Sequence, residues 1–173
     1  MRVVVVSEHH ARWAQLFEQE AARLGPVFGD LLLEIHHIGS TAVPGLPAKP
    51  VIDIMPIVKN ITQVDLLNGQ MQSLGYEAMG ECGLAGRRYF RKGGDDRTHN
   101  IHAYQWDNRQ AIERHLAVRD YLRTHPAMAR EYGELKQRLA KQFPEDIYGY
   151  MDGKDSFVKA LEQEALRWRQ EQK

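Results

Sequence analysis

His37-Ile38-Gly39-Ser40-Thr41-Ala42-Val43-Pro44-Gly45-Leu46-Pro47-Ala48-Lys49-Pro50-Val51-Ile52-Asp53-Ile54 is the stretch on which the fold of this 173-residue chain turns. An apolar strand ends, and a Gly-Ser turn follows. A loop with three prolines and two glycines between positions 39 and 50 then delivers the chain to a second apolar strand. That second strand carries one acid, Asp53, among Val51, Ile52, Ile54, Met55 and Ile57. A buried aspartate needs a partner or a metal. Two readings follow: the carboxylate bonds loop N–H groups or Lys49 and locks the loop, or it holds a divalent cation, Mg²⁺ or Mn²⁺, against a bound phosphate. Gly39 lets a phosphate approach the backbone, while the Ser40 hydroxyl and turn N–H groups such as that of Thr41 donate to its oxygens.

Working outward, Val3 to Val6 reads as a short β-branched strand. Ser7 is placed to cap a helix carrying Trp13, Leu16, Phe17, Ala21 and Leu24, ending near Gly25-Pro26. Residues 31–38 and 51–58 are expected strands, and Pro56 puts the latter at a sheet edge or gives it an irregular end. Residues 62–74 fit a helix with Val64, Leu67 and Met71 on one side and Gly75 as its stop. Residues 87–92 and 98–106 read as a hairpin joined by Gly93-Gly94-Asp95-Asp96. Helices are expected over 109–124, 126–142 and 155–172. No repeat or low-complexity linker interrupts the chain. The expectation is one α/β (α+β mixed) domain over 1–173, a mixed sheet with flanking helices and a helical C-terminal third.

Composition narrows the class. With 43% hydrophobic and 27% charged residues the chain is of ordinary globular type. Its longest apolar runs, Val3–Val6 and Leu31–Leu33, fall far short of the roughly 20 residues that span a bilayer. One cysteine, Cys82, excludes an internal disulfide and has no neighbour that would activate it. These features point to the cytoplasm. Net charge is zero, yet residues 1–86 carry 5 basic and 9 acidic side chains while 87–173 carry 18 and 14. The densest basic stretch, Arg87, Arg88, Arg91, Lys92 and Arg97, suits a few phosphates or a charge-guarded strand edge. It is too small for a nucleic-acid footprint.

Strand parity then selects partners for Asp53. Along residues 98–106, Asn100, His102 and Tyr104 share one face, with His99, Ile101 and Ala103 on the other. If the two strands are neighbours, His102 shares the Asp53 face, as a second metal ligand or as a hydrogen-bonded groove histidine. Arg87 and Arg88 point to opposite faces, and Arg88 is taken as the phosphate-facing one. Lys49 and Lys154 are further candidates to neutralise a phosphate.

The stretch from His37 to Ile54 resembles the signature of the GrpB family, His-Ile-Gly-Ser-Thr-x-Val-Pro-Gly-Leu-x-Ala-Lys-Pro-x-Ile-Asp-Ile. The Trp13 helix, Gly86-Arg87-Arg88, Thr98-His99-Asn100-Ile101-His102, Arg119-Asp120-Tyr121-Leu122 and Tyr132-x-x-Leu-Lys136 are similar to further family landmarks. The resemblance implies a nucleotidyltransferase fold in which Gly39 and Ser40 contact a triphosphate and Asp53 ligates metal. It implies a nucleotide or other small phosphorylated ligand and metal-dependent nucleotidyl or phosphoryl transfer. That superfamily's strand carries two acids in Asp-x-Asp or Asp-x-Glu spacing, where this chain has Asp53 and Met55. Met55 and the occurrence of family members fused to dephospho-CoA kinase also support a non-catalytic ligand-binding or partner domain. A histidine-rich metal hydrolase is disfavoured, because no His-x-x-x-His spacing is present.

Overall fold

Period-two alternation in a single strand divides the molecule into layers. The computed structural model describes residues 1–173. In chain order its elements are α1 (Arg12–Phe28), β1 (Leu32–Ile38), β2 (Ile52–Val58), α2 (Asn68–Ser73), β3 (Tyr76–Ala78), β4 (Arg87–Lys92), β5 (His99–Gln105), α3 (Arg109–Thr124), α4 (Pro126–Gln142) and α5 (Ile147–Glu171). The five strands form one sheet in the order β1-β2-β5-β4-β3. β2 runs antiparallel to β1 and parallel to β5, so the sheet is mixed. Ile52, Ile54 and Val58 of β2 pack with Phe90, Ile101 and α1 residues Trp13, Leu24 and Phe28. Met55 and Ile57, of opposite parity, pack with Ile38, Tyr104 and α3 residues Ile112 and Leu116. A third apolar cluster joins α3, α4 and α5 to the β1–β2 loop through Val43 and Leu46.

Several sequence expectations are corrected. Val3–Val6 is no strand: Val4 alone is buried, its N–H bonding the Pro144 carbonyl, while Val3 and Val5 face outward. Ser7 caps no helix and instead forms an isolated bridge with Ala48. α1 passes through Pro26 to Phe28, because burial of Leu24 and Phe28 outweighs the one bond proline removes. Pro56 lies on an interior strand, opposite Ile35 of β1. It is accommodated because pairing with β5 runs through Ile54–Ile101 and resumes at Ile57–Tyr104, leaving a gap where proline has no N–H to give. The helix expected over 62–74 is a 3₁₀ run from Ile61 to Leu67 followed by the short α2. α5 begins at Ile147, not at 155, with the Asp146 side chain accepting from the Gly149 N–H. Gly153 lies inside that helix because a Cβ there would sit 2.5 Å from Leu139 of α4. β3 was not expected; only Tyr76 of its three residues is buried, too little to display alternation.

The α1 face of the sheet contains one buried carboxylate, Glu20, 3% exposed. Tyr76 Oη donates to it at 2.7 Å and Lys92 Nζ at 2.9 Å, tying α1 to β3 and β4. Burial raises the Glu20 pKa, but the Tyr76 and Lys92 hydrogen bonds outweigh it and hold the carboxyl below its ordinary 4.5. The folded chain therefore binds this proton less tightly than the unfolded chain. Its stabilisation is full above pH 4.5 and fades as pH falls through the lower folded value. Tyr76→Phe removes one donor and is expected to cost about 1–2 kcal/mol. For a chain of this size the melting temperature should fall by roughly 2–8 °C at pH 7, and scanning calorimetry at pH 7 and in acid should show the deficit shrinking as Glu20 protonates.

Candidate functional site

The β1–β2 loop is ordered by side chains from three directions. Arg119 and Arg123 of α3 donate to the carbonyls of His37 and Ala42 at 3.3 and 2.9 Å. His37, stacked on Phe17 of α1, lies 2.9 Å through Nε2 from Thr41 Oγ1. Thr41 Oγ1 in turn donates to the Val51 carbonyl at 3.3 Å. With its proton committed to Val51, Thr41 accepts from His37, so His37 is the neutral Nε2–H tautomer. Burial, the largest influence, holds its pKa down to about 4.

The loop starts at Gly39, with φ +74° and ψ −174°, a region essentially reserved for glycine. A Cβ there would lie 2.7 Å from Asp53 Oδ2, so the missing side chain is what lets the strand end close over the carboxylate. Asp53 stands opposite Ile38 on β1 and Asn100 on β5. Its other oxygen lies 3.1 Å from His102 Nε2. Burial raises the Asp53 pKa, but the hydrogen bond and charge of His102 and a hydrogen bond from Asn100 bring it below the ordinary carboxylate value. An ionised carboxylate only accepts, so His102 Nε2 carries the proton. Asn100 Oδ1 accepts from Tyr89 Oη at 2.8 Å and Arg97 at 3.2 Å, which turns its amide N–H₂ toward Asp53.

Asp53 opens, with 27% of its side chain exposed, onto a cavity of about 320 Å³ between the sheet and α4 and α5. Ser40, Thr41, Lys49, Asp53, His102 and Lys154, all singled out from sequence, line it together. Gly39 backs the wall behind Asp53. Thr41 contributes through its backbone, since its hydroxyl is turned inward. Arg88 is the correction. It lies on the α1 face of the sheet, opposite Ala103, and its guanidinium clasps Asp65 at 2.7 and 3.3 Å. Arg88 shares its parity with Phe90, which is buried on that face, but the side of the sheet that carries the cleft is fixed by packing.

Arg2, Asn100, Lys136 and Tyr150 also line the cavity and were not named as site residues from sequence. Lys136 is 2% exposed, and its Nζ has no hydrogen-bond partner; the Tyr150 hydroxyl is equally buried and equally unpaired. Lys49 and Lys154 each lie 5.3 Å from the Tyr150 ring centroid. Burial and the neighbouring Lys154 and Arg2 charges lower the Lys49 pKa to about 8. Burial, with Lys154 and Lys49, lowers Lys136 to about 6. A lysine between Tyr132 and Leu139, inside the apolar stripe of an amphipathic helix, was the available signal. Tyr150 and Lys154, four residues apart, share a face once α5 is known to begin at Ile147.

The donor set does not fit a protein-held two-metal centre. No group of three His, Cys, Asp or Glu side chains is placed to hold an ion. Met55, where the second acid would stand, is fully buried against Ile38, Ile57 and Tyr104. One Asp53 oxygen is already engaged by His102. No helix is long and apolar enough to cross a membrane.

Comparison with known proteins places this geometry in a family. A family model described as GrpB protein matches residues 3–164. UPF0157 protein YqkA of Bacillus subtilis (strain 168) is 48% identical over 168 residues, covering 97% of this chain and 49% of that protein. The chain thus spans about half the length of this relative. The crystal structure of conserved protein GrpB from Enterococcus faecalis superposes with a TM-score of 0.93 at 50% identity, over 95% of this chain and 99% of that one. A mutant of Cid1 poly(U) polymerase bound to MgATP matches with a TM-score of 0.51 at 13% identity, over 76% of this chain and 45% of that one. The last is a likeness of fold alone, and the fold is nucleotidyltransferase-like. From its signature loop, its sheet and these matches, the chain belongs to the GrpB family.

Proposed function

We propose that this GrpB-family chain binds a nucleotide or other phosphate ester in the cleft between β2, β5 and the C-terminal helices. The observation that carries this reading is charge: Arg2, Lys49 and Lys154, with the buried Lys136 amine beside them, face one cavity against a single carboxylate, Asp53. Such an excess in a partly desolvated cleft attracts anions. Phosphate oxygens are the acceptors that match lysine donors, the Ser40 hydroxyl and the backbone N–H groups of the turn that follows Gly39.

The reaction this arrangement favours is transfer of a phosphoryl or nucleotidyl group to an acceptor hydroxyl. The acceptor oxygen would bond to phosphorus as the bond from phosphorus to the departing nucleoside diphosphate or pyrophosphate breaks. Asp53, kept ionised and oriented by His102 and Asn100, would take the acceptor's proton, and the lysines would stabilise charge on the phosphorus and leaving-group oxygens. A second reading, binding without turnover, is favoured by Met55, which fills the second acid's place with a packed thioether. Removing the Asp53 charge separates the two.

Three outcomes are expected. A nucleotide at about 100 times its dissociation constant should stabilise the protein by about 2.7 kcal/mol, raising the melting temperature by roughly 5–10 °C. Asp53→Asn should keep that shift or enlarge it, since a repelling charge is gone, while any transfer rate falls by about 100-fold or more. A shift abolished in Asp53→Asn would instead show a cation bridging Asp53 to the ligand, and no shift with any nucleotide or sugar phosphate would refute the binding reading. Gly39→Ala should cost about 1–3 kcal/mol from its backbone alone. It should also displace Asp53, so its ligand-induced thermal shift should differ from that of the parent even where both proteins are folded.

A further inference from the structure

We propose that the cleft recognises a polyphosphate, free or esterified, whose charge is met by Lys49, Lys136, Lys154 and Arg2 in place of protein-held metal ions. The inference rests on the phosphate-ester reading and specifies its ligand class and its independence of metal.

Two observations lead to it separately. First, the fold supplies positive charge where the metal donors are missing. Met55 holds the second acid's position and Asp53 is engaged by His102, while four permanent or titratable cations line the cavity that Asp53 faces. With Lys136 protonated, four cations against one carboxylate leave an excess of three positive charges, more than the roughly two negative charges that a phosphate monoester brings. Second, two polar groups at the base of the cavity are unfinished. The Lys136 amine and the Tyr150 hydroxyl are buried in the cavity wall without a hydrogen-bond partner. A buried unpaired donor is costly, and native structures keep one where something else completes it. Both groups can donate, and among cations the partner that suits two donors is an acceptor. Between Lys49 and Lys154 that acceptor is anionic oxygen.

A proton signature follows from the same surroundings. The charged groups facing Lys136 are Lys154 and Lys49, with Arg2 beyond them and only Asp53 of opposite sign in the cavity. The Tyr132 ring lies 4.5 Å from its nitrogen. Crowding by cations and burial leave it a neutral amine near neutral pH, with a pKa of about 6. A bound polyphosphate reverses the field and favours the ammonium. At pH 7.5 binding should therefore take up about one proton, an uptake that fades as pH falls through about 6 and Lys136 becomes charged in the free protein.

The test is isothermal titration of the full chain with inorganic tripolyphosphate, ATP and orthophosphate. Each is run in EDTA and in excess Mg²⁺, at pH 7.5, in two buffers of different ionisation enthalpy. Tripolyphosphate and ATP should bind in EDTA, more tightly than orthophosphate, and Mg²⁺ should weaken them by competing with the lysines for the same oxygens. Tripolyphosphate matching ATP identifies the phosphate chain as the recognised part, while ATP binding far more tightly adds a nucleoside contact to it. Lys136→Met, whose side chain suits a buried site, should lose the buffer-dependent proton uptake and bind about 10- to 100-fold more weakly. Lys154→Met should weaken binding yet keep the uptake. Binding that requires Mg²⁺, or that is unchanged in both lysine variants, overturns the proposal and leaves the phosphate-ester reading standing. No binding of any of the three under either condition removes that reading as well.

Discussion

The close approach of Gly39 to Asp53 is the constraint from which the rest of the site is arranged. A carboxylate on an interior strand needs its lone pairs satisfied and its charge compensated. One Asp53 oxygen faces His102 and the other lies against a backbone with no Cβ to obstruct it. Because the strand end can come this near, the following turn aims Ser40 into the cavity, and the loop returns Lys49 to it ten residues before Lys59 leaves the sheet. The sheet order then decides which neighbour Asp53 has. β5 lies parallel beside β2, and parallel pairing at Asp53–Asn100 puts His102 on the same face within hydrogen-bonding reach.

Much of this was legible from residue order. The Gly-Ser turn, the isolated acid in an apolar strand and period-two alternation in 98–106 are local signals, and they located the cleft wall built by the sheet. α3 and α4 matched their expected bounds, because the His125-Pro126 step divides two long amphipathic runs. What was not legible depends on contacts distant in sequence. Lys136 and Tyr150 enter the cavity only because α4 and α5 pack across the strand ends, with Gly153 allowing the two helices to close on Leu139. Arg2 enters because Val4 and Ser7 fix the N-terminal segment against Pro144 and Ala48. Arg88 was misplaced for a related reason: alternation gives two faces, and tertiary packing alone says which one the cleft uses. Pro56 shows the limit of a residue rule, since a missing donor is tolerated inside a sheet wherever the ladder is already open.

The two faces of the sheet treat buried charge in opposite ways. On the α1 face Glu20 is met by a tyrosine hydroxyl and a lysine, a closed network that holds three elements together. On the cleft face the lysines outnumber their only carboxylate, and a hydroxyl and an amine stay unpaired. A saturated network gives stability, whereas an unsaturated one gives affinity for what completes it. Apolar residues of β2 and β5 lie between the two.

The arginines of α3 have a consequence for binding. Arg119 and Arg123 never line the cavity, yet they hold the carbonyls at His37 and Ala42, on both sides of the Gly39-Ser40 turn. The turn is therefore already shaped in the folded protein, and the phosphate ester proposed for this cleft would meet a pre-formed cradle rather than a segment it must first immobilise. Ordering of that loop is completed during folding and does not subtract from affinity at the moment of encounter. The binding proposed for this cleft would in this sense be partly encoded in a helix the ligand never touches.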